Sequence, residues 1–323
     1  MSSARRVLPD LLRRLSPPHR LRNVYERVLG TELEVQVVAD TRDRAGEAER
    51  AALDEIDRLT LVLNRFDPAS ELRRWQTRPG ERVALSPDLL HVLRAADRWR
   101  EATGGAFHPG ADAFGVLWKR AEETGRVPDD GELAELARRL WDPPWTLHPD
   151  GTATLHADHP LGLNALAKGS VVDRAAEAAF ASPGVRAVLV NAGGDLRTLG
   201  GGGLTVAVAD PFSGRDDLPP LCRVPVRDGA LATSGDTRRG YRVGEGWHSH
   251  LLDPRTGWPV TAVPGVTVTA PDGLTADALA TALSVLGVAE GLALADATPD
   301  AAALIVTRDG GRHTSARWVA RPP

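Results

Sequence analysis

Apolar and polar residues alternate between Thr31 and Ala39, with Leu33, Val35 and Val37 on one side. A period of two predicts a half-buried strand. The period then lengthens. Ala52, Ile56, Leu59, Leu63 and Phe66 recur at spacings of four and three, the stripe of an amphipathic helix that Pro68 ends. Ser86-Pro87 opens a second helix, a capping residue followed by proline at the first helical position. Leu89, Leu93 and Ala96 form its apolar side, and Thr103-Gly104-Gly105 stops it. Residues 131–140 are predicted helical up to Trp141-Asp142-Pro143-Pro144-Trp145, as is the alanine-rich run 165–180.

Beyond residue 180 the pattern favours strands. Residues 186–190, 204–209, 223–232, 241–243, 263–269 and 303–307 read as strands, and only 275–286 reads as a helix. Residues 200–203 read as a hairpin tip. Strands following one another without intervening helices pair antiparallel. No fixed-period repeat and no Pro/Ser-rich linker divides the chain. The expectation is one α+β domain over residues 25–323, a largely antiparallel sheet with flanking helices. Residues 1–24 form an extension. In it, Leu8, Leu11, Leu12 and Leu15 lie among arginines and suggest a short amphipathic helix, a tail or partner-docking segment.

Composition narrows the function classes. Among 323 residues, 42% are apolar and 25% charged, the balance of a globular chain. The net charge of −4 gives no basic bias toward nucleic acid. Cys222 is the sole cysteine, which excludes an intrachain disulfide and a Cys-rich zinc site. No stretch reads as apolar for the length of a membrane span.

Several stretches can carry chemistry. Asp277 and Thr281 stand four apart on the helix read at 275–286, so they face one way. A carboxylate and a hydroxyl so placed suit a hard cation such as Mg²⁺. They equally suit a dipole-stabilising Asp and a packed Thr. His250 ends a strand-like segment and can accept a proton near neutral pH, though a lone histidine is usually structural. His248, two residues earlier, need not share its role. Asp253, Arg255, Thr256, Gly257 and Pro259 read as a turn. Lys168 could pair with phosphate or merely be solvated on its alanine-rich helix. Asn191-Ala192-Gly193-Gly194-Asp195 and Thr233-Ser234-Gly235-Asp236 are turns that could approach a ligand or simply reverse the chain.

In order, these stretches resemble the ApbE family of flavin transferases. The series is Gly30-Thr31, then Asp67-Pro68-Ala69-Ser70-Glu71-Leu72, then Gly104-Gly105-Ala106-Phe107. Ala167-Lys168-Gly169 follows, with Asp173 beyond it, then the 191–195 and 233–236 turns, residues 250–259, and Ala276 to Thr281. The resemblance implies that FAD binds along a groove formed by these loops, with Mg²⁺ on its pyrophosphate. It implies metal ligation by Asp277 and Thr281 with backbone carbonyls of Ala165 and Ala280, and FAD contacts from Leu29, Ala106, Phe107, His108, Lys168 and Leu251. His250 is implied as the base that activates a Thr or Ser hydroxyl of an acceptor protein. That hydroxyl would attack the FMN-side phosphorus and release AMP. Family members are often exported or lipid-anchored at an N-terminal cysteine; lacking one, this chain is expected in the cytoplasm.

Two departures matter. His108 stands where the family often has aspartate, and Gly162 where it commonly has another. Both are expected to remove a carboxylate from the flavin-binding surface. They keep open an FAD pyrophosphatase, in which water replaces the acceptor hydroxyl, and a flavin-binding protein without turnover.

Overall fold

The computed structural model describes residues 17–201, 203–213, 219–235 and 240–322. Its frame is an eight-stranded sheet in the order β1-β2-β6-β7-β10-β13-β14-β15, antiparallel throughout. These strands are β1 (His19–Val28), β2 (Thr31–Ala39), β6 (Val185–Ala192), β7 (Asp195–Gly200), β10 (Ala230–Gly235), β13 (Gly265–Ala270), β14 (Ala302–Val306) and β15 (Arg312–Thr314). The alternation read at residues 31–39 holds: Leu33, Val35, Val37 and Ala39 of β2 are buried and the residues between them are not.

Three helices cover one face of this sheet. They are α1 (Arg42–Leu63), α6 (Asn164–Phe180) and α7 (Gly273–Ala297). Ala52, Ile56, Leu59 and Leu63 of α1 pack with Leu33, Val35, Val171 and Val190 in the larger core. Ala276, Leu279, Ala280 and Leu283 of α7 pack with Val266, Val268 and Ile305 in a second. The opposite face is closed by the hairpin of β8 (Leu204–Val208) and β9 (Cys222–Val226), through Val208, Val224 and Val226 against Leu189, Leu196 and Leu231.

Smaller elements complete the chain: α2 (Glu71–Gln76), α3 (Pro87–Ala102), α4 (Asp112–Thr124) and α5 (Asp130–Leu140). A three-stranded sheet joins β3 (Arg82–Ala84), β5 (Thr152–Leu155) and β4 (Trp145–Leu147), and β11 (Gly240–Val243) pairs with β12 (Gly246–Ser249). α3 starts as read, with the Ser86 hydroxyl capping Leu89 N–H and proline in the first turn.

Four expectations need correction. The α1 stripe stops at Leu63; Phe66 lies outside the helix, 77% exposed, under the Arg65 guanidinium. Residues 223–232 do not make one strand. Asp228, at φ 44°, and Gly229 turn the chain from β9 into β10, which belong to different sheets. The sheet also begins before the expected boundary at residue 25, since β1 starts at His19 and pairs along β2. Leu8, Leu11, Leu12 and Leu15, which carry the amphipathic pattern, lie outside the described residues. Finally, α7 is long and apolar enough to cross a membrane by length and composition, contrary to the sequence expectation. Gly287 breaks it at φ 76°, close to the end read at 286, and its first half is buried in the core.

Candidate active site

The centre of the molecule is the crossing of α6 and α7. Glycine lets the two helices touch: a methyl group at Gly169 would collide with the Gly273 carbonyl and stand 2.8 Å from Leu274 N. Asp173, one turn along α6, accepts from the N–H groups of Gly273 (2.7 Å) and Leu274 (3.0 Å). It thereby satisfies donors that a helix N-terminus leaves free. Asp272 caps the same end, accepting from Thr275 N–H at 2.7 Å. Burial pushes the Asp173 carboxyl up to about 6, against the pull of those backbone donors.

Asp277 enters this crossing from α7. Its Oδ2 accepts from Gly169 N–H at 3.3 Å. In an α-helix that N–H points at the carbonyl of the residue four before it, here Ala165. The Ala165 carbonyl and the Asp277 carboxylate therefore border one N–H. Thr281, half-buried, lies one turn further along the Asp277 face. Burial, with the Asp195 carboxylate next in effect, pushes the Asp277 carboxyl well above its ordinary value. A buried oxygen site that strains to stay ionised beside another carboxylate is chemically suited to a hard cation. Asp277, Thr281 and the Ala165 carbonyl fit such an ion. The Ala280 carbonyl accepts the Ser284 hydroxyl at 2.9 Å besides its place in the helical ladder. Among the described residues, no three His, Cys, Asp or Glu side chains converge on a metal position. A cation here would draw the rest of its shell from substrate oxygens.

Lys168 is not a solvated surface lysine. Its ammonium lies 2.7 Å from Asp195 Oδ2, on a carboxylate 2% exposed at the start of β7. Burial raises the Asp195 carboxyl, and the lysine opposes that rise. The turn before β7 explains the placement. Gly193, at φ 61°, fits closely over Thr31, where any Cβ would meet the threonine side chain. Thr31 opens β2 directly after Leu29 and Gly30, both at positive φ (52° and 75°). A leucine held in the left-handed region is uncommon and strained, which marks this hairpin tip as a shaped surface. The tip and the Lys168–Asp195 pair are thus neighbours through Thr31. The stretch expected as a turn at 233–236 is strand instead: Thr233 to Gly235 end β10, paired along β13, with Thr233 Oγ1 3.2 Å from Thr267 Oγ1, while Asp236 lies outside the described residues.

The loop at 104–108 runs into Pro109, whose carbonyl accepts from Gly162 N–H at 2.8 Å in the loop before α6. Ala106 and Phe107 are buried, with Phe107 N–H donating to Thr103 Oγ1 at 2.9 Å. Their side chains belong to the interior. His108 Nδ1 accepts from Gly110 N–H at 2.9 Å, which places its proton on Nε2. Burial, reinforced by Arg100 and His159, pushes its pKa down to about 4, so the ring is neutral. His108 lines a recess of about 190 Å³ with Arg100, Gly105, Trp141, Pro254 and Arg255.

Arg255 belongs to the turn after β12, which forms as its residues foretell. Asp253 Oδ1 accepts from Arg255 N–H at 2.9 Å, and Asp253 O accepts from Gly257 N–H at 2.7 Å. Gly257 sits at φ 76° with its carbonyl accepting from Trp118 Nε1 at 2.8 Å. His248 stacks 4.8 Å from Trp118, whereas His250, half-buried, lies just past the strand end beside Leu251. β12 ends at Ser249, between the two histidines; on a continuous strand residues two apart would share a face.

The chain has known counterparts. A model of the ApbE family matches residues 29–305. The chain belongs to the ApbE family. A Treponema pallidum protein named FAD:protein FMN transferase is 32% identical over 323 aligned positions, covering 92% of this chain and 87% of its own. A Vibrio cholerae protein of the same name is 34% identical, covering 80% of each. The crystal structure of an ApbE protein from Thermotoga maritima superposes with a TM-score of 0.78 at 28% identity, covering 93% of this chain and 97% of that one. The ApbE fold is therefore shared along nearly the whole chain.

Proposed function

We propose that this protein transfers FMN from FAD to a threonine or serine hydroxyl of an acceptor protein, releasing AMP, with Mg²⁺ as the assisting ion. The observation that carries the reading is the Asp277 carboxylate, buried at the α6–α7 crossing and accepting from Gly169 N–H, in a chain of this family. Relatives with the name FAD:protein FMN transferase support the donor and the kind of acceptor.

In the reaction, the acceptor oxygen bonds to the FMN-side phosphorus as the bond to AMP breaks. His250 takes the hydroxyl proton, which a weakly acidic alcohol does not surrender unaided near neutral pH. Asp277, Thr281 and the Ala165 carbonyl would hold Mg²⁺, which neutralises charge gathering on the pyrophosphate. Asp195 keeps Lys168 extended toward the anionic substrate, a fixed cation that needs no reorganisation during the step. The backbone at 104–108, with Leu29 and Leu251, borders the flavin nucleotide. An in-line displacement asks chiefly for positioning and charge, and these rigid elements supply both.

Purified protein, FAD, Mg²⁺ and a candidate acceptor domain, followed by intact mass of the acceptor, tests the proposal. A gain of one FMN that disappears with Asp277→Ala supports it. Free FMN and AMP with an unmodified acceptor would instead favour the pyrophosphatase. Bound FAD with no product, given an acceptor known to be competent, would leave only flavin binding.

A further inference from the structure

Arg65, Asp112 and Gly162 meet where three distant parts of the chain converge. Arg65 follows α1, Asp112 is the first residue of α4, and Gly162 lies in the loop before α6. Arg65 Nη1 and Asp112 Oδ2 form an ion pair whose side chains remain 26% and 38% exposed. A methyl group at residue 162 would fall on the Asp112 carboxylate, 2.7 Å from its carbon and 2.8 Å from Arg65 Nη1. The volume that a side chain at 162 would take is thus filled by a carboxylate delivered from another helix. Glycine leaves room for it without displacing either side chain.

The neighbourhood gives this exchange a consequence. Gly162 N–H donates to the Pro109 carbonyl at 2.8 Å, tying the loop that holds Phe107 and His108 to the one that leads into Ala165 and Lys168. The Arg65–Asp112 pair sits on that seam. An isolated exposed ion pair is worth little, about 0–1 kcal/mol. Here the pair packs on a backbone junction shared by two ligand-facing loops, so its loss shifts both at once.

We propose that Asp112 is a positioning residue of the flavin site: with Arg65 it supplies from α4 the carboxylate that position 162 lacks, and it locks the two loops in the arrangement FAD requires. The inference rests on the flavin-transfer reading. It also removes the ground for expecting an impaired site at Gly162, because a carboxylate occupies that place.

A reciprocal exchange tests it. FAD affinity is read from flavin fluorescence, KM and kcat from acceptor labelling, and folding from thermal melting, for Asp112→Gly, Asp112→Asn, Gly162→Asp and the double exchange Asp112→Gly with Gly162→Asp. Both Asp112 variants should weaken FAD binding about tenfold, raising KM while kcat stays within about twofold. Gly162→Asp alone should bind as poorly or worse, since two carboxylates then compete for one space. The double exchange should return to within about threefold of the wild type, the same carboxylate now rising from the other backbone. Asp112→Asn preserves size, so it reads the charge even if the glycine variant unfolds. Wild-type affinity in Asp112→Asn, or a double exchange no better than its parents, overturns the inference. A wild-type protein that binds no FAD overturns the flavin-transfer reading itself, and this inference with it.

Discussion

Replacing Gly169 by alanine should be among the most damaging single-methyl additions in the molecule. The new Cβ would stand 2.5 Å from the Gly273 carbonyl carbon and 2.8 Å from Leu274 N, both backbone atoms of a buried helix start that cannot swing aside. Overpacking of a tight contact costs about 1–3 kcal/mol. Separating α6 from α7 also stretches the two bonds from Gly273 and Leu274 N–H to Asp173, at 2.7 and 3.0 Å. Hydrogen bonds to a charged group contribute about 1.5–3 kcal/mol each, and partial loss of the pair brings the total to about 3–5 kcal/mol. That is a large share of the roughly 5–15 kcal/mol by which a domain is stable. Two further glycines calibrate the effect. Gly273→Ala meets the Gly169 carbonyl oxygen at 2.9 Å and Asp173 Oδ1 at 3.0 Å, and should cost about 1 kcal/mol. Gly46→Ala, inside α1 with nothing nearer than Arg50 Nη1 at 3.8 Å, should stabilise by about 0.5–1 kcal/mol. Urea unfolding of the three variants measures the series. Gly169→Ala within about 0.5 kcal/mol of the wild type, or milder than Gly273→Ala, would refute the view that bare backbone contact holds this crossing together.

Other expectations follow from the same geometry. Asp277→Asn should raise the melting temperature of the metal-free protein at pH 8, since the ionised carboxylate is disfavoured by burial, while Mg²⁺ ceases to stimulate transfer; melting and initial rates check both. His250→Ala should slow acceptor labelling by about 10²–10⁴-fold with FAD affinity retained, as removal of a general base does, measured by single-turnover mass analysis. His108 has a pKa near 4 when folded against the ordinary 6.5, so its stabilising contribution is present above pH 6.5 and disappears as pH falls to about 4. His108→Asn should therefore flatten the acid limb of the stability profile, by roughly 3 kcal/mol at pH 4 relative to pH 7, in parallel urea titrations. Gly257→Ala places a side chain at φ 76° and against the Phe114 ring, so it should destabilise by about 3 kcal/mol or more in the same assay.

Local signals were legible wherever a short segment decides its own conformation. The period-two stretch of β2, the Ser86-Pro87 start of α3, the break after residue 286 and the Asp253–Gly257 turn all formed as their residues imply. Phe114, Trp118 and Ala121 of α4 carry a comparable four-and-three spacing, which the reading of the chain passed over. With that helix went Asp112. The N-terminal strand was missed for a different reason: β1 is half-exposed and owes its extension to pairing with β2, a partner that its own pattern does not announce.

By itself, then, the order of residues determined the family, the antiparallel α+β architecture and the roster of loops near the candidate site, because motifs and periodicities are properties of neighbouring positions. Tertiary structure alone decided how those residues meet. It joined Lys168 of α6 to Asp195 of β7 and Gly169 of α6 to Asp277 of α7, and engaged the Ala280 carbonyl with Ser284. It also filled the space over Gly162 with a carboxylate from α4. Charge, close contact and lone-pair occupancy depend on distances between remote parts of the chain, and packing sets those distances.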